Sequence, residues 1–271
     1  MTDSKKIKER VNERYSKVAL TGDSCCGPIG IAEGREGECC SADVILKPLL
    51  SPTKVSELLG YDANELHSIP EAAILGAGCG SPTKFVFIKE GDTVVDLGSG
   101  AGIDVFLAAN IVKDAGKVIG IDMTDEMLQR ARKNALDGGY TNVEFRKADI
   151  EERIPVEDNS VDVVISNCVV NLTTNKSNTF SEIYRILKPD GNGRMIISDL
   201  VTDRQIGDIS SVDPDKWCSC IDGALTKDNY ISSIRKAGFD KVEVLDERPY
   251  TEGDHVDNRK ITSITIKAGK E

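Results

Sequence analysis

From residue 92 onward, apolar runs of strand length alternate along the chain with segments of helical pattern. The predicted strands span residues 93–97, 117–121, 143–145, 161–166, 194–198, 241–247 and 261–267. Helices are predicted between the early strands, near residues 102–112, 124–136 and 174–187. Short continuous apolar strands that are joined by helices favour a parallel sheet covered on both faces. The pattern therefore predicts an α/β fold with a doubly wound sheet of seven strands.

The last two predicted strands follow each other closely, and no helical pattern separates them. Parallel neighbours need a crossover of roughly a dozen residues or more, usually a helix. We therefore expect the final strand to run antiparallel and to close a mostly parallel sheet. A seven-stranded sheet that ends in this way resembles the Rossmann-like fold of class I methyltransferases.

The first 70 residues lack this alternation. They contain a predicted polar helix, a Gly-rich loop and two predicted short helices, over residues 1–20, 21–42, 52–60 and 62–66. The chain is therefore predicted to have an N-terminal extension, a central core, and a C-terminal part that holds an insertion and the closing strands, over residues 1–70, 71–200 and 201–271.

Charge and hydropathy narrow the class of function. The chain carries 45 acidic and 34 basic residues, a net charge of −11, and lacks a Lys/Arg cluster of the kind that grips nucleic acid. We therefore expect a small-molecule substrate and no nucleic-acid partner. No apolar run approaches the ~18 residues of a membrane span. The charged N-terminus does not resemble a secretory signal, so we expect a cytoplasmic protein.

Cysteine is the most informative residue type in the chain. The eight cysteines are Cys25, Cys26, Cys39, Cys40, Cys79, Cys168, Cys218 and Cys220. In a cytoplasmic chain they favour metal binding or redox chemistry over a frame of disulfides. The two histidines, His67 and His255, lie in unrelated contexts, which argues against a histidine-based catalytic triad.

A glycine-rich turn follows the first predicted strand, with the sequence Asp96-Leu97-Gly98-Ser99-Gly100-Ala101-Gly102. Glycines there allow a tight turn and the close approach of a ligand to the backbone. Nicotinamide-binding turns instead read G-x-G-x-x-G and place a pyrophosphate at a helix N-terminus. The Asp96 carboxylate would repel a pyrophosphate but suits an ammonium group. S-adenosylmethionine, which carries an ammonium, a sulfonium and no phosphate, fits this turn.

Two more acids follow the next predicted strands. Asp122 ends the second strand, where a carboxylate can accept both ribose hydroxyls. Asp149 follows the third strand and could accept from an adenine amino group, with Met123 and Ile150 packing on the ring. The predicted cofactor-binding set is Asp96, Gly98, Ser99, Gly100, Gly102, Asp122, Met123, Ala148, Asp149, Ile150 and Asn167.

Three cysteines lie where a methyl acceptor would bind. Cys168 directly follows the fourth predicted strand, Cys79 lies in a Gly-rich loop before the first, and Cys220 lies between the fifth and sixth. Ligands of doubly wound sheets bind outside the carboxyl ends of strands. Two alternatives remain open for these cysteines: they are small core residues, or they bind zinc, although no C-x-x-C pair is present.

At these segments the chain resembles the arsenite S-adenosylmethionine methyltransferases of the short microbial type. The resemblance covers roughly residues 60–240 and is carried by Gly78-Cys79-Gly80-Ser81-Pro82, the turn 96–102, Ser166-Asn167-Cys168-Val169-Val170-Asn171-Leu172 and Cys220-Ile221-Asp222-Gly223-Ala224-Leu225. The loop 188–193 departs from the shorter Pro-Gly-Gly turn of the family. The resemblance implies that Cys79, Cys168 and Cys220 bind As(III), and that arsenite or its thiol conjugates are methylated to trivalent methylated arsenicals.

The family also uses an N-terminal cysteine in redox chemistry. Two vicinal pairs could supply it, and we favour Cys39-Cys40 over Cys25-Cys26 because Cys40 stands where the chain can leave the loop. A thiol pair that forms a disulfide can return two electrons to arsenic after methyl transfer. We expect an external thiol reductant such as thioredoxin or glutathione, and a monomeric enzyme.

Two other functions remain open from the sequence. One is a class I methyltransferase for a small organic acceptor, such as a quinone precursor, whose cysteines are incidental. The other is a non-catalytic protein that binds a metalloid on a cofactor-binding fold.

Overall fold

A computed structural model describes residues 3–22, 50–204, 206, 212, 214–250 and 258–271. The predicted Gly-rich loop, including Cys25, Cys26, Cys39 and Cys40, lies outside these residues except for positions 21 and 22. The strands are β1 (Thr93–Leu97), β2 (Lys117–Asp122), β3 (Val143–Lys147), β4 (Val163–Asn167), β5 (Arg194–Thr202), β6 (Val242–Pro249) and β7 (Ile261–Gly269). The helices are α1 (Asp3–Thr21), α2 (Pro52–Leu58), α3 (Ala63–His67), α4 (Ile103–Val112), α5 (Asp125–Asp137), α6 (Lys176–Ile186), α7 (Pro214–Trp217) and α8 (Lys227–Lys236).

The strands form one seven-stranded sheet in the order β3-β2-β1-β4-β5-β7-β6. The first five strands pair in parallel, and β7 runs antiparallel to both β5 and β6. This confirms the predicted mostly parallel sheet and its antiparallel closing strand. The carboxyl ends of β1, β2 and β4 consequently meet at one edge.

Alternate residues of each strand enter two different cores. On β1, Val94 packs with Phe106 of α4 and Leu128 of α5. The next residue, Val95, packs on the other face with Phe180 of α6 and with α8. Since successive side chains of a strand point to opposite faces, this alternation places helices on both sides of the sheet. The sheet is thus doubly wound, as predicted.

All strands but β1 differ from the predicted ranges by one to four residues at an end, and for β4 and β5 the pairing explains the difference. Strand β4 begins at Val163, because Val161 makes only an isolated bridge to Leu187. Strand β5 continues to Thr202, since β7 pairs with it over its full length. Periodicity within one strand does not reveal how far its neighbour extends, so these ends were not predictable locally.

Helix α8 was missed by the sequence analysis. Its signals are present: the Thr226 side chain caps it by accepting from the Asn229 amide, and Tyr230 and Ile234 form its buried stripe. The tyrosine packs edge-on against Phe180 of α6. This helix therefore covers the same face of the sheet as α6.

Helix α1 is polar in composition but not solvated on every side. Its residues Ile7, Val11, Val18 and Ala19 are buried, and it packs against α5 and α7. The spacing of these residues places them on one face of the helix. None of the helices among the described residues is long and apolar enough to cross a bilayer.

Helix α5 offers a matched test of core packing. Leu128 is 1% exposed and Leu136 is 82% exposed on the same helix. Leu128→Ala should lower the free energy of unfolding by about 2–5 kcal/mol, because it leaves a cavity in the core. Leu136→Ala should change it by less than about 0.5 kcal/mol. Urea unfolding monitored by circular dichroism measures both, and equal losses would contradict the packing described here.

Candidate active site

A cavity opens at the carboxyl edge of the sheet, where β1, β2 and β4 end. It is lined by the turn after β1, the end of β2, residues 148–151 after β3, Cys168 after β4, and residues 218–220. All of the predicted cofactor-binding residues line this cavity except Gly102, which lies at the start of α4. The structure thus brings together residues that the sequence placed on four separate segments.

The turn after β1 is shaped by contacts that only glycine allows. Gly98 has a φ of 70°, and a Cβ there would lie 2.3 Å from a methyl carbon of Val169. The backbone amides of Gly98 and Ser99 both donate to the Ile121 carbonyl oxygen, at 2.7 and 3.0 Å. These bonds fix the turn to the end of β2. The buried hydroxyl of Ser99 has no hydrogen-bond partner among the described residues.

Buried carboxyl groups are concentrated beside this turn. Burial, followed by repulsion from Asp104 and Asp122, raises the pKa of Asp96 well above its usual range. Burial also raises the pKa of Asp122, although its carboxylate accepts from the Gly100 and Thr124 amides at 2.9 and 2.8 Å. Such a cluster stabilises a cation, because a positive ligand relieves the repulsion among the acids.

Asp149, which the sequence predicts to accept from an adenine amino group, also contacts side chains and backbone of this chain. One of its oxygens lies 2.6 Å from Lys8 Nζ, on helix α1. The other accepts from the Glu151 amide at 3.0 Å. Lys8 also lies 2.6 Å from Glu151 and itself lines the cavity. Lys8 was not among the predicted site residues, because nothing near it in the chain marks a site.

Asn167 joins the cofactor side of the cavity to the loop that carries Cys79. Its Oδ1 accepts from the Cys79 amide at 3.1 Å, and its Nδ2 donates to the Gly80 carbonyl and to the Tyr61 hydroxyl, at 2.7 and 2.9 Å. Tyr61 in turn donates to the buried Asp104 carboxylate at 2.8 Å. Asn167 therefore positions the Cys79 loop, a role that its place at the end of β4 did not indicate.

Cys79, Cys168 and Cys220 are buried in one cluster of contacting residues. Cys220 Sγ donates to the Cys168 carbonyl oxygen at 3.1 Å, and Cys79 Sγ donates to Asn167 Oδ1 at 3.9 Å. Cys79 Sγ, Cys168 Sγ and an Asp199 carboxylate oxygen all lie within 4.8 Å of one another. Cys168 and Cys220 face the cavity, while Cys79 lies behind them at 1% exposure.

Two of these cysteines have backbone conformations that L-residues rarely adopt. The φ angles are 59° at Cys168 and 65° at Cys220. Each such residue costs about 1–3 kcal/mol and persists where the surrounding structure fixes it, typically at functional sites. The strain directs both side chains into the shared cluster.

A buried polar network holds this strained geometry. The Asp199 carboxylate accepts from the Asn171 amide and the Tyr230 hydroxyl, at 3.0 and 2.9 Å. Burial raises the pKa of Asp199 to about 7. The Asn171 side chain donates to the Leu200 carbonyl at 2.6 Å and to the Cys220 carbonyl at 3.4 Å. A carboxylate inside the apolar run of β5 was the available signal for Asp199, and sequence analysis did not use it.

Lys176 and Trp217 join the cysteine segments from outside the cluster. Lys176 Nζ donates to the Asn171 and Thr173 carbonyls, at 3.1 and 2.8 Å, and lies 5.3 Å above the Trp217 ring. The indole donates to the Leu172 carbonyl at 2.9 Å. Burial lowers the pKa of Lys176 to about 8. These contacts fix the segment before Cys220 against the turn that follows Cys168.

Two of the buried thiols, those of Cys79 and Cys168, have raised pKa values. Burial raises the pKa of the Cys79 thiol. A hydrogen bond with Cys220 lowers the pKa of Cys168, but its hydrogen bond with Cys79 and its burial outweigh this and raise the pKa well above the usual range. Cys79 and Cys168 therefore favour the protonated thiol form, which suits a thiophilic ligand that exchanges its own hydroxyl groups.

Several known proteins are similar to this chain in sequence and in fold. A family model described as a methyltransferase domain matches residues 88–238. An arsenite methyltransferase of Halobacterium salinarum is 42% identical over 99% of this chain and 68% of its own length. An arsenite methyltransferase of Aquipseudomonas alcaligenes is 34% identical over 89% of this chain and 64% of its own length. The chain thus spans about two thirds of the length of these two relatives.

Among solved structures, the chain is similar to an arsenic(III) S-adenosylmethionine methyltransferase of Chlamydomonas reinhardtii. The identity is 33%, the TM-score is 0.63, and the match covers 80% of this chain and 73% of that one. The match in fold agrees with the seven-stranded, mostly parallel sheet. Since the sequence likeness to the Halobacterium protein also extends over nearly the whole chain, this protein belongs to the arsenite methyltransferase family.

Proposed function

We propose that this protein transfers methyl groups from S-adenosylmethionine to trivalent arsenic that is bound by Cys79, Cys168 and Cys220. One observation carries the proposal: three buried cysteines lie in one cluster, and two of them line the same cavity as the glycine turn. Membership of the arsenite methyltransferase family supports it.

The cavity fits S-adenosylmethionine by charge and by shape. Asp96 and the neighbouring acids suit its ammonium group, and the Ser99 hydroxyl, which has no partner among the described residues, can bind a polar group. Asp122 would hold the ribose, while Met123, Ala148 and Ile150 supply apolar surface for the adenine, with Asp149 at its edge. When bound, this cofactor supplies an electrophilic methyl group on its sulfonium.

The thiols would bind arsenite by exchange. Each neutral thiol gives its proton to one hydroxyl of arsenous acid, one water leaves, and an As–S bond forms, so three thiols release three waters. Trivalent arsenic bound in this way is pyramidal, with a lone pair at its apex. Because arsenic carries no proton that must be removed, the chain needs no general base, and its main contribution is to position the lone pair.

Methyl transfer uses the arsenic lone pair and formally leaves pentavalent arsenic. Two electrons must then return to arsenic, and two thiols supply them when they form a disulfide and release two protons. We assign this supply to Cys39 and Cys40, which lie outside the described residues. An external thiol reductant such as thioredoxin or glutathione would reduce the disulfide again.

The proposed role of Cys168 and Cys220 in arsenic binding can be tested by comparison with a nearby cysteine, Cys218. Cys168→Ser and Cys220→Ser should each lower the rate of arsenite methylation by at least about 100-fold, because two thiolates no longer fix the arsenic. Cofactor affinity should stay unchanged. Cys218→Ser is the matched control and should keep most of the rate: Cys218 also lines the cavity, but it packs with Ile7 and Trp217 rather than with the other cysteines, and a serine keeps its hydrogen bond to Pro214.

Arsenite binding can be measured separately from turnover. The chain has a single tryptophan, Trp217, close to the Cys220 segment, so its fluorescence should report As(III) binding with one ion per chain. Product analysis by chromatography with arsenite and cofactor measures methylation. Absence of stoichiometric As(III) binding would favour a small organic acceptor, and binding without methylated product would favour a metalloid-binding protein.

The cofactor assignment is tested at Asp122. Asp122→Ala should weaken S-adenosylmethionine binding by about 1.5–3 kcal/mol, the usual loss for hydrogen bonds to a charged group. Asp125→Ala is the control, because Asp125 pairs with Lys147 at the surface, with 60% of its side chain exposed. Isothermal calorimetry gives both affinities. An unchanged affinity in Asp122→Ala would remove this residue from the site.

The redox assignment predicts a split between binding and turnover. A Cys39→Ser/Cys40→Ser double variant should bind As(III) normally but lose turnover, and the unmodified chain should stop after about one turnover without added thiol. Mass spectrometry after a single turnover should find a disulfide that includes Cys39 or Cys40. Full multiple turnover in the double variant would move the role to Cys25 and Cys26 or to an external thiol.

A further inference from the structure

Helix α1 contacts both halves of the candidate active site. Near its start, Ile7 and Val11 pack with Trp217 and Cys218, on the segment that leads to Cys220. Near its end, Val18 and Ala19 pack in a second cluster with Ala101 of the glycine turn and Met127 of α5. The helix therefore lies across the cavity from the thiol side to the cofactor side.

Three side chains of α1 line the cavity itself: Lys8, Val11 and Tyr15. Their spacing of three and four residues places them on one face of the helix. That face carries one cation, one aliphatic and one aromatic side chain, a composition suited to a polar heterocyclic ligand.

Polar contacts anchor the helix to the loop that follows β3. Lys8 Nζ lies 2.6 Å from both Asp149 and Glu151. Glu151 also accepts from the Thr174 hydroxyl and the Asn175 amide, at 2.8 and 2.9 Å. Further along α1, the Ser16 hydroxyl donates to Glu126 at 2.7 Å.

The Lys8 pair differs in kind from the surface ion pairs of the same helix. The Lys8 side chain is 24% exposed and that of Glu151 is 4% exposed, whereas the Lys5–Glu9 pair is 63% and 50% exposed. Removing the partner of a buried carboxylate leaves its charge uncompensated. Without Lys8, Asp149 and Glu151 would repel each other at the edge of the cavity.

We propose that α1 is the outer wall of the cofactor site, and that Lys8 is a positioning residue that holds Asp149 and the residues around it against the bound cofactor. This inference rests on the proposed S-adenosylmethionine site. It goes beyond that site because it adds residues from the N-terminal extension, with Val11 and Tyr15 covering the cofactor. The same wall packs on Trp217 and Cys218, so that one helix borders both the cofactor and the thiol segment.

The variant that tests the inference is Lys8→Met, which keeps an aliphatic side chain and removes the charge. Its affinity for S-adenosylhomocysteine, measured by calorimetry, should fall about tenfold, as expected for lost hydrogen bonds to charged groups. The KM for S-adenosylmethionine should rise by a similar factor with kcat little changed. Lys8→Arg should restore most of the affinity. As(III) binding, followed by Trp217 fluorescence, should not change.

Lys17→Met is the matched control, because Lys17 is an exposed residue of the same helix. It should bind S-adenosylhomocysteine as the unmodified chain does. An affinity in Lys8→Met that equals or exceeds that of Lys17→Met would overturn the inference. Tighter binding in particular would mean that Lys8 competes with the cofactor for Asp149.

A second measurement needs no substitution. Hydrogen exchange of the α1 amides near residues 7–15 should slow when the unmodified chain is saturated with S-adenosylhomocysteine, because the ligand would hold the helix in place. Unchanged exchange would contradict a wall that contacts the cofactor. If the unmodified chain binds no cofactor at all, the proposed function fails; if it binds and methylates while Lys8→Met matches it, only this inference fails.

Discussion

The parallel pairing of β1 with both β2 and β4 is the constraint on which the site depends. In this register Asp96 lies beside Gly120 on one side and Ile165 on the other, so all three strands end at the same edge. The order of the strands along the sheet reverses at β1 and β4, which is where doubly wound sheets form a crevice. The glycine turn, the strand-end acids and Cys168 all lie around that crevice because of this pairing.

The residues that line the crevice are held in place by the structure around them rather than by contacts with one another. Burial raises the pKa values of Asp96 and Asp122, and two of its cysteines have left-handed backbone conformations. Both features cost folding free energy, and the rigid surroundings must hold them. The hydrogen bonds around Asp199 and the contacts of Lys176 with the Thr173 carbonyl and the Trp217 ring provide that support. A bound cation would reduce the repulsion among the buried acids. A thiophilic ligand would bind the cysteines in the arrangement that their strained backbone conformations hold.

Helix α1 belongs to the N-terminal extension of the sequence, but in the fold it packs against the core. Its composition is polar, yet its buried stripe and its Lys8 contacts make it part of the cavity. The cofactor side and the thiol side of the site consequently share one wall. Any movement of α1 would change the packing on both sides of the cavity, since the same helix packs on Met127 and on Trp217.

The sequence by itself determined the strands, their alternation with helices, the glycine turn and the acids at strand ends, because periodicity, turn chemistry and position after a strand are local properties. Even the missed helix α8 had a local signal in Thr226 and Ile234. Only the tertiary structure decided which distant side chains meet: Asp199 with the cysteine sulfurs, Asn167 with the Cys79 loop, and Lys8 with Asp149. Such pairs leave no local pattern, because they arise from strand order and helix packing, which bring together segments that are far apart in the chain.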